Sequence, residues 1–297
     1  MKLIAHLVAL FLPFAPLSAD EKPFIIGELD CELGNNMFQV ASASALAWDK
    51  EAEVFFPELL EPKREEYLKH IFFRCSPITP EQAIEFQWKC PSELNFVHTQ
   101  IPYQPNMLLK SGAFQSEKYF AHHRQRILEL FAPSTEDLDY IRSKYGVILD
   151  HPYTVGVQMR WFGRAIDTLW HKYLVQYGKD YFTQAVAKFP PNALFIISSN
   201  DKTFVNECFP KGLSNVVVLE NEPDTIEFRI LSLCQHQIIS NSTFGWWAAW
   251  LNQNPQKIVV APWEWIDPAW HRLTPVKDVY PKTWIRIPAE WTKPYTR

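Results

Sequence analysis

From about residue 150 the chain alternates short apolar runs with segments of helical apolar spacing. TVGVQMR (154–160), ALFIISS (193–199), NVVVLE (215–220), QIIS (237–240) and KIVVAP (257–262) read as strands. DYFTQAVAKF (180–189), DKTFVNECF (201–209), DTIEFRILSLC (224–234) and STFGWWAAWLN (242–252) between them read as helices. Asp224 with Glu227 three residues on has the spacing of a capping box. Five strands alternating with helices predict a doubly wound parallel α/β unit. Nearer the start, PFIIGEL (23–29), a polar turn DCELGNN (30–36), a helix over 37–50 and EVFFP (53–57) predict one β-turn-α-β unit. Residues 58–110 carry many prolines and charged runs and read as short helices and loops. FQSEKYFAHHRQRILELF (114–131) reads as one amphipathic helix, and Ser134 opens another over 134–145. The best cut between two units falls near 146–153.

The first 19 residues depart from this pattern. Lys2, the apolar stretch IAHLVALFLPFAPL and Ser18-Ala19 before Asp20 read as a secretory signal peptide. The stretch is short for a membrane span and carries Pro13 and Pro16. The expected destination is exported or luminal, with an uncleaved membrane anchor as the alternative. The expected organisation is therefore a signal peptide at 1–19, an N-terminal unit at 20–150 and a C-terminal unit at 151–297.

Composition narrows the partners. The chain has 297 residues, 47% of them hydrophobic, and a formal charge of −4, so no global basic field recruits nucleic acid. Any anion site must be local. The five cysteines match no metal-binding spacing. Cys75 with Cys90 is a candidate disulfide if the protein is exported, with buried free thiols as the alternative. Asp137-Leu138-Asp139 lies in a helical pattern and reads as a solvated face.

Three stretches sit where such folds bind ligands. Ser240-Asn241-Ser242-Thr243 ends a strand and starts a helix, where free amides and the helix dipole favour an anion. Trp246, Trp247 and Trp250 then form a rigid plug behind the polar turn. The alternative is that Asn241 or Ser242 is only an N-cap. Arg160 stands at a strand end with Arg164 and Asp167 following, and Arg suits bidentate phosphate contact. A surface salt bridge is the alternative. Asn35 and Asn36 lie in a Gly-Asn-Asn turn able to approach a ligand. That turn is neither a P-loop nor a dinucleotide fingerprint.

Together ELGNNMFQ (32–39), FQSEKYF (114–120), QMRW (158–161) and ISNSTFGWWAAWLNQNP (239–255) resemble the motifs of glycosyltransferase family 11, the α-1,2-fucosyltransferases. The resemblance covers roughly 23–265. It implies an α/β GT-B fold, two Rossmann-like domains facing across a cleft, with the N-terminal one on the acceptor side. It implies inverting, metal-independent transfer of fucose from GDP-fucose, a donor substrate rather than a cofactor, to a glycan hydroxyl. Arg160 then clamps the phosphates and Ser242 and Thr243 assist. Asn35 and Asn36 approach from the opposing domain. Ser199, Asn200 and Asp201 match a family stretch that contacts the nucleoside. Asp30, Glu32 and Asp167 are candidate bases. The Arg motif departs from the family: its His is Gln158 and its second Arg is Trp161, a loss for which Arg164 is placed to compensate. Cys31 replaces the first glycine of the N-terminal motif, and Asn36 its glutamine. A binding-only relative, or a transferase of another GDP-sugar, are the competing readings.

Overall fold

The computed structural model describes residues 22–77, 89–90, 96–110, 112–163 and 172–294. The leader, Arg164 and Asp167 lie outside them. In the N-terminal half, β1 (Phe24–Gly27) leads into α1 (Leu33–Asp49) and β2 (Glu53–Phe55). After α2 (Glu65–His70) come β3 (Lys89–Cys90) and β4 (Met107–Leu109). These strands form one parallel sheet in the order β2-β1-β4-β3. Two 3-10 turns, Glu117–Tyr119 and Ala121–His123, precede α3 (Arg124–Leu130) and α4 (Thr135–Leu149).

The C-terminal half contains β5 (Thr154–Met159), β6 (Gln176–Tyr177), α5 (Lys179–Val186), β7 (Leu194–Ser199), α6 (Lys202–Cys208) and β8 (Val216–Val218). It continues with α7 (Asp224–Leu233), β9 (His236–Ile238), α8 (Thr243–Leu251) and β10 (Val259–Pro262). It ends with β11 (Ile285–Ile287) and β12 (Trp291–Thr292). Six of these strands form a second parallel sheet, β11-β10-β9-β5-β7-β8. β5 is buried along its whole length, as a central strand covered on both faces must be. The chain runs outward from β5 through β7 to β8, then returns to add β9, β10 and β11 on the other side. That is the dinucleotide-fold order, with its switch point between β5 and β9.

The two halves share one apolar core. Trp246, Trp247 and Trp250 of α8 are fully buried with Phe38 of α1, Phe120 and Phe131. The Phe38 ring centroid lies 4.5 Å from Trp246 and 5.0 Å from Trp247, and Phe120 stacks on Trp247 at 5.1 Å. The plug therefore backs the polar turn and also joins α8 to α1. α4 precedes the expected boundary, yet its Ile141 packs with Leu194, Ile196, Ile226 and Ile230 of the second half.

Several expectations change. α1 begins at Leu33, so Asn35 and Asn36 belong to its first turn rather than to a loop. The 114–131 helix is broken, because Phe120 leaves helical geometry at φ −141° and its ring is fully buried in the aromatic core. Pro223 takes the N-cap position of α7, so Asp224 is already helical and makes no capping box. Glu227 accepts instead from the Ser198 hydroxyl at 2.5 Å. Asp137 is buried, not solvated, and takes a hydrogen bond from His70 Nδ1 at 2.7 Å. Cys75 carries a free thiol, pushed up to about 12 by burial. Among the described residues no helix is long and apolar enough to cross a membrane.

Candidate functional site

The switch point of the second sheet is held open by one serine. The Ser240 hydroxyl donates to the Gln158 carbonyl at 3.0 Å and accepts from the Arg160 amide at 3.0 Å. This staples the end of β5 to the end of β9 and fixes Arg160 beside the start of α8. Asn241 is spent on structure as well. Its side-chain amide donates to the carbonyls of Val175 and Trp265, both at 3.1 Å, and the residue is buried. Ser242 occupies the N-cap position in extended geometry, but its hydroxyl makes no capping bond. The N-cap alternative therefore does not account for its side chain. The first amides of α8 have no intrahelical acceptor, as at any helix start.

The facing wall is the start of α1. A Cβ built on Gly34 would lie 2.5 Å from Thr243 Oγ1 and 2.7 Å from the Phe244 nitrogen. Only glycine lets the two helix starts approach this closely. Asn35 accepts from Gln115 Nε2 at 3.0 Å, and Gln115 Oε1 accepts from the Trp265 indole at 3.0 Å, tying both walls together. Asn36 is fully buried and faces away from the opening. It donates to the Asp30 carbonyl at 2.7 Å and accepts from Arg64 Nε at 3.1 Å. Arg64, itself buried, also donates to the Leu29 carbonyl at 3.0 Å and pairs with Glu61. The expected ligand contact by Asn36 is thus replaced by a role inside the scaffold.

Between these walls lies a cavity of about 670 Å³, of a size that takes small-molecule ligands. Asp30, Glu32, Asn35, Arg160, Asn241, Ser242 and Thr243 all line it. Asn36, Asn200 and Asp201 do not. Asn200 closes a two-bond clamp on the Trp161 backbone, with both contacts at 2.9 Å. Asp201 caps α6 by accepting from the Phe204 amide at 2.6 Å. These bonds shape the β5 and β7 ends, outside the cavity lining.

The charges in the cavity are uneven. Among the described residues the Arg160 guanidinium has no hydrogen bond or ion pair; it lies 5.9 Å from the Phe162 ring centroid. Loss of hydration pushes its pKa below the usual guanidinium value, while Glu32 and Tyr67 act the other way. Tyr67 holds its hydroxyl between Glu32 Oε2, at 3.1 Å, and Asp224 Oδ2, at 3.3 Å. Burial and both carboxylates push the phenol up. Burial also raises Asp224, opposed by the bond from Tyr67. The altered Arg motif has a physical reading here. Trp161 is buried in the second-half core, and Gln158 is buried with its Oε1 unpartnered among the described residues. Tyr67 and Trp265 escaped the sequence reading, and Asp224 and Gln115 entered it only as a helix opener and within a motif, because no local spacing marks residues that meet only through the fold.

The model of Glycosyl transferase family 11 matches residues 27–288. An alpha-1,2-colitosyltransferase of Escherichia coli is 25% identical over 59% of this chain and 61% of its own length. An O-antigen biosynthesis glycosyltransferase of the same organism is matched over 53% of its length. The chain thus spans under two thirds of these two relatives. The galactoside alpha-(1,2)-fucosyltransferase 2 of Bos taurus is 25% identical over 87% of this chain and 77% of its own. Among solved structures, NodZ alpha-1,6-fucosyltransferase soaked with GDP-fucose superposes with a TM-score of 0.51 at 13% identity. That overlap covers 78% of this chain and 93% of NodZ, a likeness of fold. With the family model spanning both sheets and both walls of the cavity, the chain belongs to glycosyl transferase family 11.

Proposed function

We propose that the chain transfers fucose from GDP-fucose to a hydroxyl of a glycan, with inversion and without a metal ion. The observation that carries this reading is Arg160, a cation with no partner among the described residues, set at the switch point beside the start of α8. In this reading the two halves are the two Rossmann-like domains of a GT-B fold. The diphosphate lies between Arg160, the Ser242 and Thr243 hydroxyls and the first amides of α8. As the bond from fucose C1 to the phosphate oxygen breaks, negative charge grows on the leaving diphosphate. Donors already aimed at that charge lower the barrier. Arg160 supplies the positive charge that a metal ion supplies elsewhere. The acceptor hydroxyl enters from the wall that carries Asp30, Glu32 and Asp224, and one of these carboxylates takes its proton. A single displacement on the face opposite the leaving group inverts the anomeric carbon. In the same reading residues 1–19 export the chain or deliver it to a lumen that contains the donor. A membrane anchor is the second outcome of sequencing the mature N-terminus.

The test is calorimetric titration of GDP and GDP-fucose into wild type and Arg160→Ala, followed by transfer assays with and without a chelator. Binding and transfer that fall together in the variant, and resist the chelator, support the reading. Wild-type protein that binds neither nucleotide sinks it. NMR of the product's anomeric proton reports the stereochemistry.

Two observations favour other readings. The Glu32 carboxylate acts on Arg160 where the family pattern brings further positive charge, which suits a relative that binds without transferring. Binding of GDP-fucose with no transfer to any acceptor would select it. The relative named for colitose transfer suits a different donor sugar, and a donor panel separates that reading.

A further inference from the structure

The far end of α1 carries a group that no stretch of sequence announces. Asp49 is the last residue of α1, and His122 and His123 lie in the 3-10 turn packed beside it. His123 Nε2 lies 2.7 Å from Asp49 Oδ1, and His122 Nε2 lies 3.0 Å from Oδ2. The ligand atoms of all three residues fall within 4.8 Å of one another. Ligand atoms about 2.0 Å from a tetrahedral zinc ion stand about 3.3 Å apart, so a small adjustment suffices. We propose that Asp49, His122 and His123 bind one divalent transition-metal ion of the zinc class, with water in the remaining position.

Two features support the site. It lies at the C-terminal end of a 17-residue helix, where the dipole favours a cation. The His123 ring is held edge-on to Trp48 at 5.3 Å, which fixes its direction. One feature opposes the ion: Arg126 covers the Trp48 ring at 4.0 Å and brings positive charge. The affinity therefore falls below that of a closed structural site, whose four protein ligands leave no water. The ion clips α1 to the turn before α3, about 25 Å along the helix from the cavity. Its effect is on stability, not on transfer, and the proposal stands apart from the reaction assigned above.

The test uses the full untagged chain, stripped by chelator and titrated with Zn²⁺ by calorimetry, with Co²⁺ as a visible-absorption probe. Wild type should take one ion per chain and melt at a higher temperature with zinc. Asp49→Asn should bind at least about tenfold more weakly. His122→Ala/His123→Ala should lose both binding and the zinc-dependent shift, while melting like wild type in chelator. No uptake by wild type overturns the proposal. Equal uptake by the double variant overturns it too, and points to the exposed Cys31 thiol or another surface group.

Discussion

The two helix starts that meet at Gly34 and Thr243 are built from similar residues and use them differently. At the start of α1, Asn36 is turned inward and locked by the buried Arg64. At the start of α8, Ser240 and Asn241 hold the backbone, while Ser242 and Thr243 face the cavity beside an arginine unpaired among the described residues. Polar residues within one motif thus divide into those that hold the turn and those that face the cavity. Type and spacing do not separate the two; hydrogen-bond partners do.

Substitutions at the two arginines test this division most sharply. Arg64→Ala should cost about 3 kcal/mol in chemical denaturation, because it strands buried acceptors at Asn36 and Leu29. Arg160→Ala should leave stability nearly unchanged and lower transfer about 100-fold or more. The reverse outcome would collapse the distinction. At the second turn, Asn241→Ala should lose about 1–3 kcal/mol of stability, while Ser242→Ala should change donor affinity and leave the melting curve in place. Cys31 sits at φ 64° and makes a smaller test. Cys31→Gly should stabilise by up to about 1 kcal/mol by removing a Cβ from left-handed backbone, read as a higher denaturation midpoint.

A different kind of test is electrostatic. Burial raises the Glu227 carboxyl to about 7, against the bond from Ser198. Between the unfolded value near 4.5 and about 7, the folded state holds the proton more tightly. That contribution to stability is present below the unfolded value and is lost as pH rises through about 7. Glu227→Gln should flatten this part of the stability–pH curve relative to wild type. Parallel curves would mean that the carboxyl is not the source.

The parallel strands were readable because buried strands leave continuous apolar runs, and all five runs of the second half lie in its sheet. β11 escaped because Ile285 and Arg286 are exposed and IRI carries no buried run. That Arg160 and the Ser242–Thr243 pair share one cavity wall was readable because strand ends and helix starts share one edge of such a sheet. Where the polar atoms of Asn36, Asn200 and Asp201 go was not readable, because their partners, Arg64, Trp161 and Phe204, decide it. Tyr67 and Asp224 are 157 residues apart, and nothing local links them.

The shared aromatic core also fixes how the molecule comes apart. Phe38 belongs to the first half and Trp246, Trp247 and Trp250 to the second, yet all are sealed in one cluster. Neither half can expose its side without stripping the other of its packing. Heating should therefore give one heat-absorption peak, with calorimetric and van't Hoff enthalpies in agreement, from a chain whose two sheets suggest two.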